Sequence, residues 1–135
     1  AQLCLVSQGG TPKGVQITHK ALAGVQAWHQ TEYAHSAKDR SSQLIGPGFD
    51  PVSLELWPFW TCGASVHIVP DAIRSSYPAL VRFLAERSIT VCLLPTPIAA
   101  ALIDETFPPD CKLRVSERMP SLWLVAHSHR PWTRL

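Results

Sequence analysis

The stretch Ile89-Thr90-Val91-Cys92-Leu93-Leu94, closed by Pro95, is the strongest constraint on how this chain folds. A continuous apolar run of strand length is what a strand covered on both faces looks like, and such strands belong to parallel sheets sandwiched by helices. Leu3–Val6 reads as another short buried strand, Gln43-Leu44-Ile45-Gly46 as a second, and Ser65–Val69 as a third, ended by Pro70-Asp71. Helical spacing fills the gaps. Thr18 is placed to cap a helix with Leu22, Val25 and Trp28 or His29 on one face. Val52–Thr61 carries Leu54, Leu56, Trp57 and Trp60 at helical spacing, with Pro58 bending or shortening the helix. Ser76 opens a helix with Pro78 in its first turn and Leu80, Val81, Leu84 and Ala85 inward, and Thr96-Pro97 opens one with Ile98, Leu102 and Ile103 inward. The order strand, loop, helix, strand, helix, strand, helix, strand, helix predicts an α/β fold, a mainly parallel sheet with flanking helices.

At 135 residues the chain fits one domain with one modest core. A net charge of +2 is too small to argue for nucleic acid or an anionic membrane as partner. The apolar runs at Val91–Leu94 and Ile98–Ile103 are too short to span a bilayer, and no basic segment precedes an apolar core as in a signal peptide, so the expectation is a cytoplasmic protein. Cys4, Cys62, Cys92 and Cys111 lie far apart without a C-x-x-C pair, which points to buried reduced thiols and not to zinc. His127-Ser128-His129 lacks a third ligand at suitable spacing, so no metal site is expected. Asp39-Arg40 reads as a surface turn, and Trp28, Trp57 and Trp60 as core packing, with an aromatic surface as the alternative. No G-x-S-x-G elbow supports a serine hydrolase.

The segment Ser7-Gln8-Gly9-Gly10-Thr11-Pro12-Lys13-Gly14-Val15 has the chemistry of a phosphate-binding loop. Glycines let the backbone approach a ligand closely, and exposed N–H groups with one lysine suit a polyanion. The same residues are also ordinary turn chemistry. In an open parallel sheet a loop at a strand's carboxyl end lies where ligands bind.

The string Gly14-Val15-Gln16-Ile17-Thr18-His19-Lys20-Ala21-Leu22, with the loop before it, resembles the T-S-G-S-T-G-x-P-K-G-V phosphate loop and T-H-x-x-L segment of the adenylate-forming (AMP-binding) ligases. Phe49-Asp50-Pro51-Val52-Ser53-Leu54-Glu55-Leu56-Trp57-Pro58 is similar to the F-D-x-S-V-W-E-I-W-P segment of amino-acid adenylation domains in nonribosomal peptide synthetases. Gly63-Ala64-Ser65-Val66-His67-Ile68-Val69 resembles their G-A-x-x-H-I-V strand, and Ile89–Pro97 their I-T-V-x-F-L-P-T-P passage. Four ordered matches cover about residues 3–114. Complete domains of this family are several times longer. The resemblance therefore implies an internal fragment, part of the N-terminal subdomain of an adenylate-forming enzyme.

The resemblance implies ATP with Mg²⁺ as co-substrate, an amino acid as substrate, and a phosphopantetheine-bearing carrier domain, with a condensation domain, as partners in the parent synthetase. It assigns phosphate binding to Ser7, Gly9, Gly10, Thr11, Lys13 and Gly14, and substrate binding to Asp50, Leu54 and Leu93. Asp50 would pair with the substrate's α-ammonium. On residue chemistry alone Asp50 reads first as a helix-entry residue before Pro51, an order the resemblance reverses; Leu54 and Leu93 are equally core residues, and Glu55 is either an exposed helix residue or a polar tether. The loop departs from the family where Gln8 and Gly9 replace small hydroxyl residues and Ser7 replaces a glycine, which predicts weak phosphate orientation and no turnover by the chain alone. The related alternatives are an acyl-CoA synthetase-type fragment, which would lack the amine-binding aspartate, and a non-catalytic remnant or interaction module.

From Val115 the sequence leaves the family pattern, and codons for Ser116–Pro120 read in another frame can spell Gly-Thr-Asp-Ala, as the family would have there. The expected organisation is an adenylation-domain fragment over 1–114 and a divergent tail over 115–135, either frameshifted or simply a divergent basic terminus.

Overall fold

The computed structural model describes residues 2–6, 13–102 and 105–114. The tail, including His127 and His129, lies outside them, as do Ile103 and the loop residues 7–12. The chain begins with strands β1 (Gln2–Val6) and β2 (Lys13–Ile17), followed by helix α1 (His19–Glu32) and strand β3 (Arg40–Gln43). Helix α2 (Val52–Trp60), strand β4 (Ser65–Ile68), a single turn α3 (Asp71–Arg74), and helices α4 (Tyr77–Glu86) and α5 (Thr96–Leu102) complete the order.

The α/β class holds, with one correction at its start. β1 is not a member of the parallel sheet: it pairs antiparallel with β2, Gln2 opposite Ile17 through Val6 opposite Lys13. The sequence pattern runs the glycine turn straight into a helix, but Lys13–Ile17 is extended and makes a hairpin with β1. Helix α1 then starts where Thr18 predicts, its hydroxyl accepting the Ala21 N–H at 3.1 Å.

The parallel part is β4, β3 and the Ile89–Leu94 run. β3 and β4 pair parallel from Arg40–Ser65 to Gln43–Ile68, and Ser41 bridges Val91 in parallel on the other side. Ser42 N–H donates to Val91 C=O and Thr90 N–H to Arg40 C=O, so the run is stitched along β3 although only Val91 forms a regular bridge. Its two faces are both covered, as an all-apolar run requires. Ile89, Cys92 and Leu94 enter a core with Leu44, Val69, Leu80, Val81, Leu84, Ala99, Leu102 and Leu113. Val91 faces the other way, onto Phe59 and Ala64. β3 between them carries Ser41 and Ser42, small enough for the helices to close over; Ser42 Oγ donates to Cys92 Sγ at 2.9 Å.

Several local expectations shift. The second strand ends at Gln43, not Gly46, because the backbone groups of Leu44 and Ile45 are taken by side chains and not by a neighbouring strand. The turn α3 has no counterpart among the expected elements. The stripe of α4 is as predicted at Leu80, Val81 and Leu84, with Ser76 preceding the helix but making no side-chain cap bond. On α1 only His29 is buried; Val25 and Trp28 point outward, because α1 meets α2 through the His29 edge. Trp60 is also exposed, edge-on against Trp57. Of the cysteines described, Cys92 is buried while Cys62 and Cys111 are half-buried, all as free thiols. Among the described residues no helix is long and apolar enough to cross a membrane.

Candidate substrate site

The hairpin sets the base of the glycine turn. Val6 pairs with Lys13 and Leu5 with Gly14, so the connection between β1 and β2 is closed immediately before Lys13. Ser7, Gly9, Gly10 and Thr11 lie outside the described residues, and so does the side chain of Lys13.

The second half of the site is the passage from β3 to α2. Gly46 C=O accepts the Phe49 N–H at 3.1 Å, Phe49 C=O accepts the Val52 N–H at 3.2 Å, and Asp50 C=O accepts both the Ser53 N–H and Ser53 Oγ. Three overlapping turns thus wind the chain from Gly46 into α2. Pro51, already in the helical region at φ −64°, starts the helix without a side-chain cap. Asp50 is exposed and Phe49 beside it is 69% exposed, so this turn is a projecting edge and not packing material. Leu54 follows one helical turn after Asp50 and is half-buried, whereas Leu93 is buried on the strand-like run next to β3. The three substrate candidates therefore sit on the turn into α2, in the first turn of α2 and on the strand-like run beside β3, graded from exposed carboxylate to buried leucine.

Glu55 is the residue whose role sequence reasoning left open, and it is a tether. Its side chain is only 1% exposed, and its two carboxylate oxygens accept the N–H groups of Leu44 and Ile45, each at 2.9 Å. Arg74 donates to Leu44 C=O at 2.9 Å and Val69 C=O at 3.2 Å, itself steadied by Asp71 at 3.0 Å. The Gln43 side-chain amide donates to Ile45 C=O. All four backbone polar groups of Leu44 and Ile45 are therefore satisfied by side chains where the chain leaves the sheet. Burial pushes the Glu55 carboxyl up to about 7, against the pull of the two N–H groups and of Arg74. The available signal was a lone charged residue in the helix Val52–Trp60, which is otherwise apolar apart from Ser53.

Asp39, read from sequence as a surface turn, is instead buried and central. Arg114 grips it with two bonds, Nε to Oδ1 at 3.0 Å and Nη2 to Oδ2 at 2.7 Å, while Thr90 Oγ1 and the Ser36 N–H donate at 2.8 Å each. Burial alone would raise its carboxyl; Arg114, Thr90 and Ser36 together hold it below the usual range. Close by, His35 Nε2 and His29 Nδ1 are 2.9 Å apart against Phe59, and burial with the neighbouring imidazole lowers His35 to about 4. Neither Asp39 nor Arg114 carries a sequence signal, since the two partners are 75 residues apart.

Among the described residues no three His, Cys, Asp or Glu side chains gather as a metal site. What the described residues offer is an exposed carboxylate on a braced loop, with Lys13 at the start of β2.

Comparison with known proteins identifies the class. Residues 9–128 match the family of AMP-binding enzymes, and the chain belongs to that family. It is 42% identical over 105 residues to a linear gramicidin synthase of Brevibacillus parabrevis, covering 78% of this chain and 1% of that protein. Its fold is similar to that of the adenylation domain AlmE of Vibrio cholerae, solved with glycyl-adenosine-5'-phosphate, at a TM-score of 0.69 and 23% identity, over 83% of this chain and 22% of that one. It is similar also to IdnL7, at a TM-score of 0.66 and 31% identity, over 84% of this chain and 22% of that one. The chain thus has the fold of one part of an adenylation domain and spans a small share of the relatives it matches.

Proposed function

We propose that this chain is the part of an amino-acid-activating adenylation domain of a nonribosomal peptide synthetase that receives the substrate's amino group and the phosphates of ATP. In the whole domain the substrate carboxylate attacks the α-phosphorus of ATP, forming the aminoacyl-adenylate and releasing pyrophosphate. The acyl group then passes to the phosphopantetheine thiol of a carrier domain, beside a condensation domain. The observation that carries this reading is Asp50, an exposed carboxylate at the entrance of α2 on a loop whose base is fixed by buried side chains. A carboxylate held there is a natural partner for a primary ammonium.

The residues fit the triphosphate. A glycine-rich segment between the paired Val6 and Lys13, with a glycine following in β2, has the composition of a phosphate cradle, and lysine brings one ammonium. Ser7, Gly9, Gly10, Thr11, Lys13 and Gly14 would contact the phosphates, and Lys13 supplies the point charge. Mg²⁺ neutralises phosphate charge when bound and would arrive with the nucleotide, since Mg²⁺ at such sites is held largely by phosphates and water. Leu54 and Leu93 would line the side-chain pocket, which their apolar character fits to a small or medium, non-acidic substrate. The chain's contribution to rate is positioning and charge neutralisation.

Calorimetric titration of the chain with Mg-ATP tests the phosphate half: a weak saturable signal abolished by Lys13→Ala is expected, and no signal at any concentration refutes it. Amino-acid-dependent ATP–pyrophosphate exchange by the whole adenylation domain tests the other half. Exchange with fatty acids only would refute the amino-acid assignment.

A further inference from the structure

Glu55 closes a ring. Leu44 and Glu55 are 11 residues apart in the chain, and the carboxylate on α2 reaches back to grip the two peptide N–H groups at which the loop leaves β3. Every residue of the Gly46–Asp50 turn therefore lies inside a cycle clasped at one point. Arg74, from α3, holds the carbonyl of the same Leu44 from the other side. We propose that Glu55 and Arg74 are positioning residues that fix the location of the Asp50 carboxylate for the substrate's ammonium group; this rests on the reading of Asp50 given above.

The physical argument is one of leverage. The turn from Gly46 to Phe49 has glycine at positions 46 and 48 and is largely exposed, so it has little packing of its own to define its course. Its two ends are defined instead, one by α2 and the other by Leu44 and Ile45. A carboxylate accepting two adjacent N–H groups fixes both the place and the tilt of a peptide segment, which one hydrogen bond cannot do. Loss of the clasp unties the first turn of α2 from the end of β3, and Asp50, whose C=O is bonded to Ser53 in that turn, moves with the turn relative to the sheet. Displacement by an ångström is enough to cost on the order of a hundredfold in rate where geometry matters.

The test compares Asp50→Asn, Glu55→Gln and Arg74→Gln in the whole adenylation domain. Each of the twenty proteinogenic amino acids is offered in ATP–pyrophosphate exchange, and the best is then compared with its desamino carboxylic acid. Glu55→Gln keeps one acceptor but turns an amide N–H toward the second peptide N–H. It and Arg74→Gln should each lower the preference for the amino acid over its desamino form by on the order of tenfold, by raising the KM of the amino acid alone. Hydrogen exchange of the chain should quicken over residues 44–51 while residues 80–94 keep their protection. Equal loss on both acids, or an unchanged preference, overturns the proposal. If Asp50→Asn retains the preference, the reading of Asp50 falls and the positioning role with it. If Asp50→Asn abolishes it while the other two do not, only the positioning role falls. Arg74 is half-buried at the edge of the core, so its variant carries the test should Glu55→Gln fold poorly.

Discussion

Glu55→Gln should change how stability depends on pH, and the sign follows from burial. In the folded chain the Glu55 carboxyl is pushed from 4.5 up to about 7. Between those values the folded state holds a proton that the unfolded state has released, so this group's contribution to stability is fully present below 4.5 and declines as pH rises through 7. Each pKa unit corresponds to ~1.4 kcal/mol, so the decline amounts to about 3 kcal/mol. Glutamine has no such titration. The stability of wild type relative to Glu55→Gln should therefore fall by about 3 kcal/mol between acid and mildly alkaline pH. The wild-type curve alone would hide this. His35, lowered from 6.5 to about 4, binds its proton more readily in the unfolded chain, so its contribution rises as pH climbs through that window. Its slope opposes that of Glu55 and is reduced by the part of the ring that water reaches. Arg74 on α3 and Cys92 from the sheet are the charged and ionisable groups that act on Glu55; the Cys92 thiol, pushed up to about 12 by burial, stays protonated throughout. Urea unfolding followed by tryptophan fluorescence, on both proteins across this range, measures the difference. Parallel pH profiles for the two would refute the claim that desolvation governs this carboxyl.

The frame around the site makes three further predictions. Arg114→Met leaves the Asp39 carboxylate buried without its cation and should cost ~3 kcal/mol or more in urea unfolding; a loss below ~1 kcal/mol would mean that Thr90 and Ser36 suffice. Cys92, buried and pushed up to about 12, should remain unalkylated in the native chain under conditions where Cys62 and Cys111 react, as peptide mass spectrometry would show. Ser88 closes α4 at φ +49°, in the left-handed region, so Ser88→Gly should stabilise the chain by up to ~1 kcal/mol, measured as a raised urea midpoint.

What was legible in the sequence was local or periodic. The Ile89–Leu94 run announced a strand covered on both faces, and it has Phe59 on one side and Leu80, Leu84 and Leu102 on the other. Thr18 announced its helix, and the α4 stripe its buried face. The misreadings of Asp39 and of the second strand share a cause: each concerns a polar group whose partner is distant in sequence. Asp39 looks like a turn residue until Arg114 arrives from 75 positions away. Leu44 and Ile45 look like strand because nothing local shows that Glu55 and Arg74 take their backbone groups. The hairpin of β1 and β2 escaped because a glycine turn with lysine reads equally as a phosphate loop entering a helix and as a link between two strands, and the two descriptions are not exclusive.

The Glu55 clasp shows why such a group persists despite its energetic disadvantage. Its elevated pKa means that burial penalises the ionised form of Glu55 relative to the protonated one, a cost that an apolar side chain would not carry. An apolar side chain, however, leaves two buried N–H groups without acceptors, each costing ~1–3 kcal/mol, and lets the loop find its own course. The Glu55 carboxyl instead bears a desolvation cost, satisfies both N–H groups and gives the chain a defined exit from the sheet. The segment so defined leads directly to Asp50, the exposed carboxylate on which substrate recognition is proposed to depend.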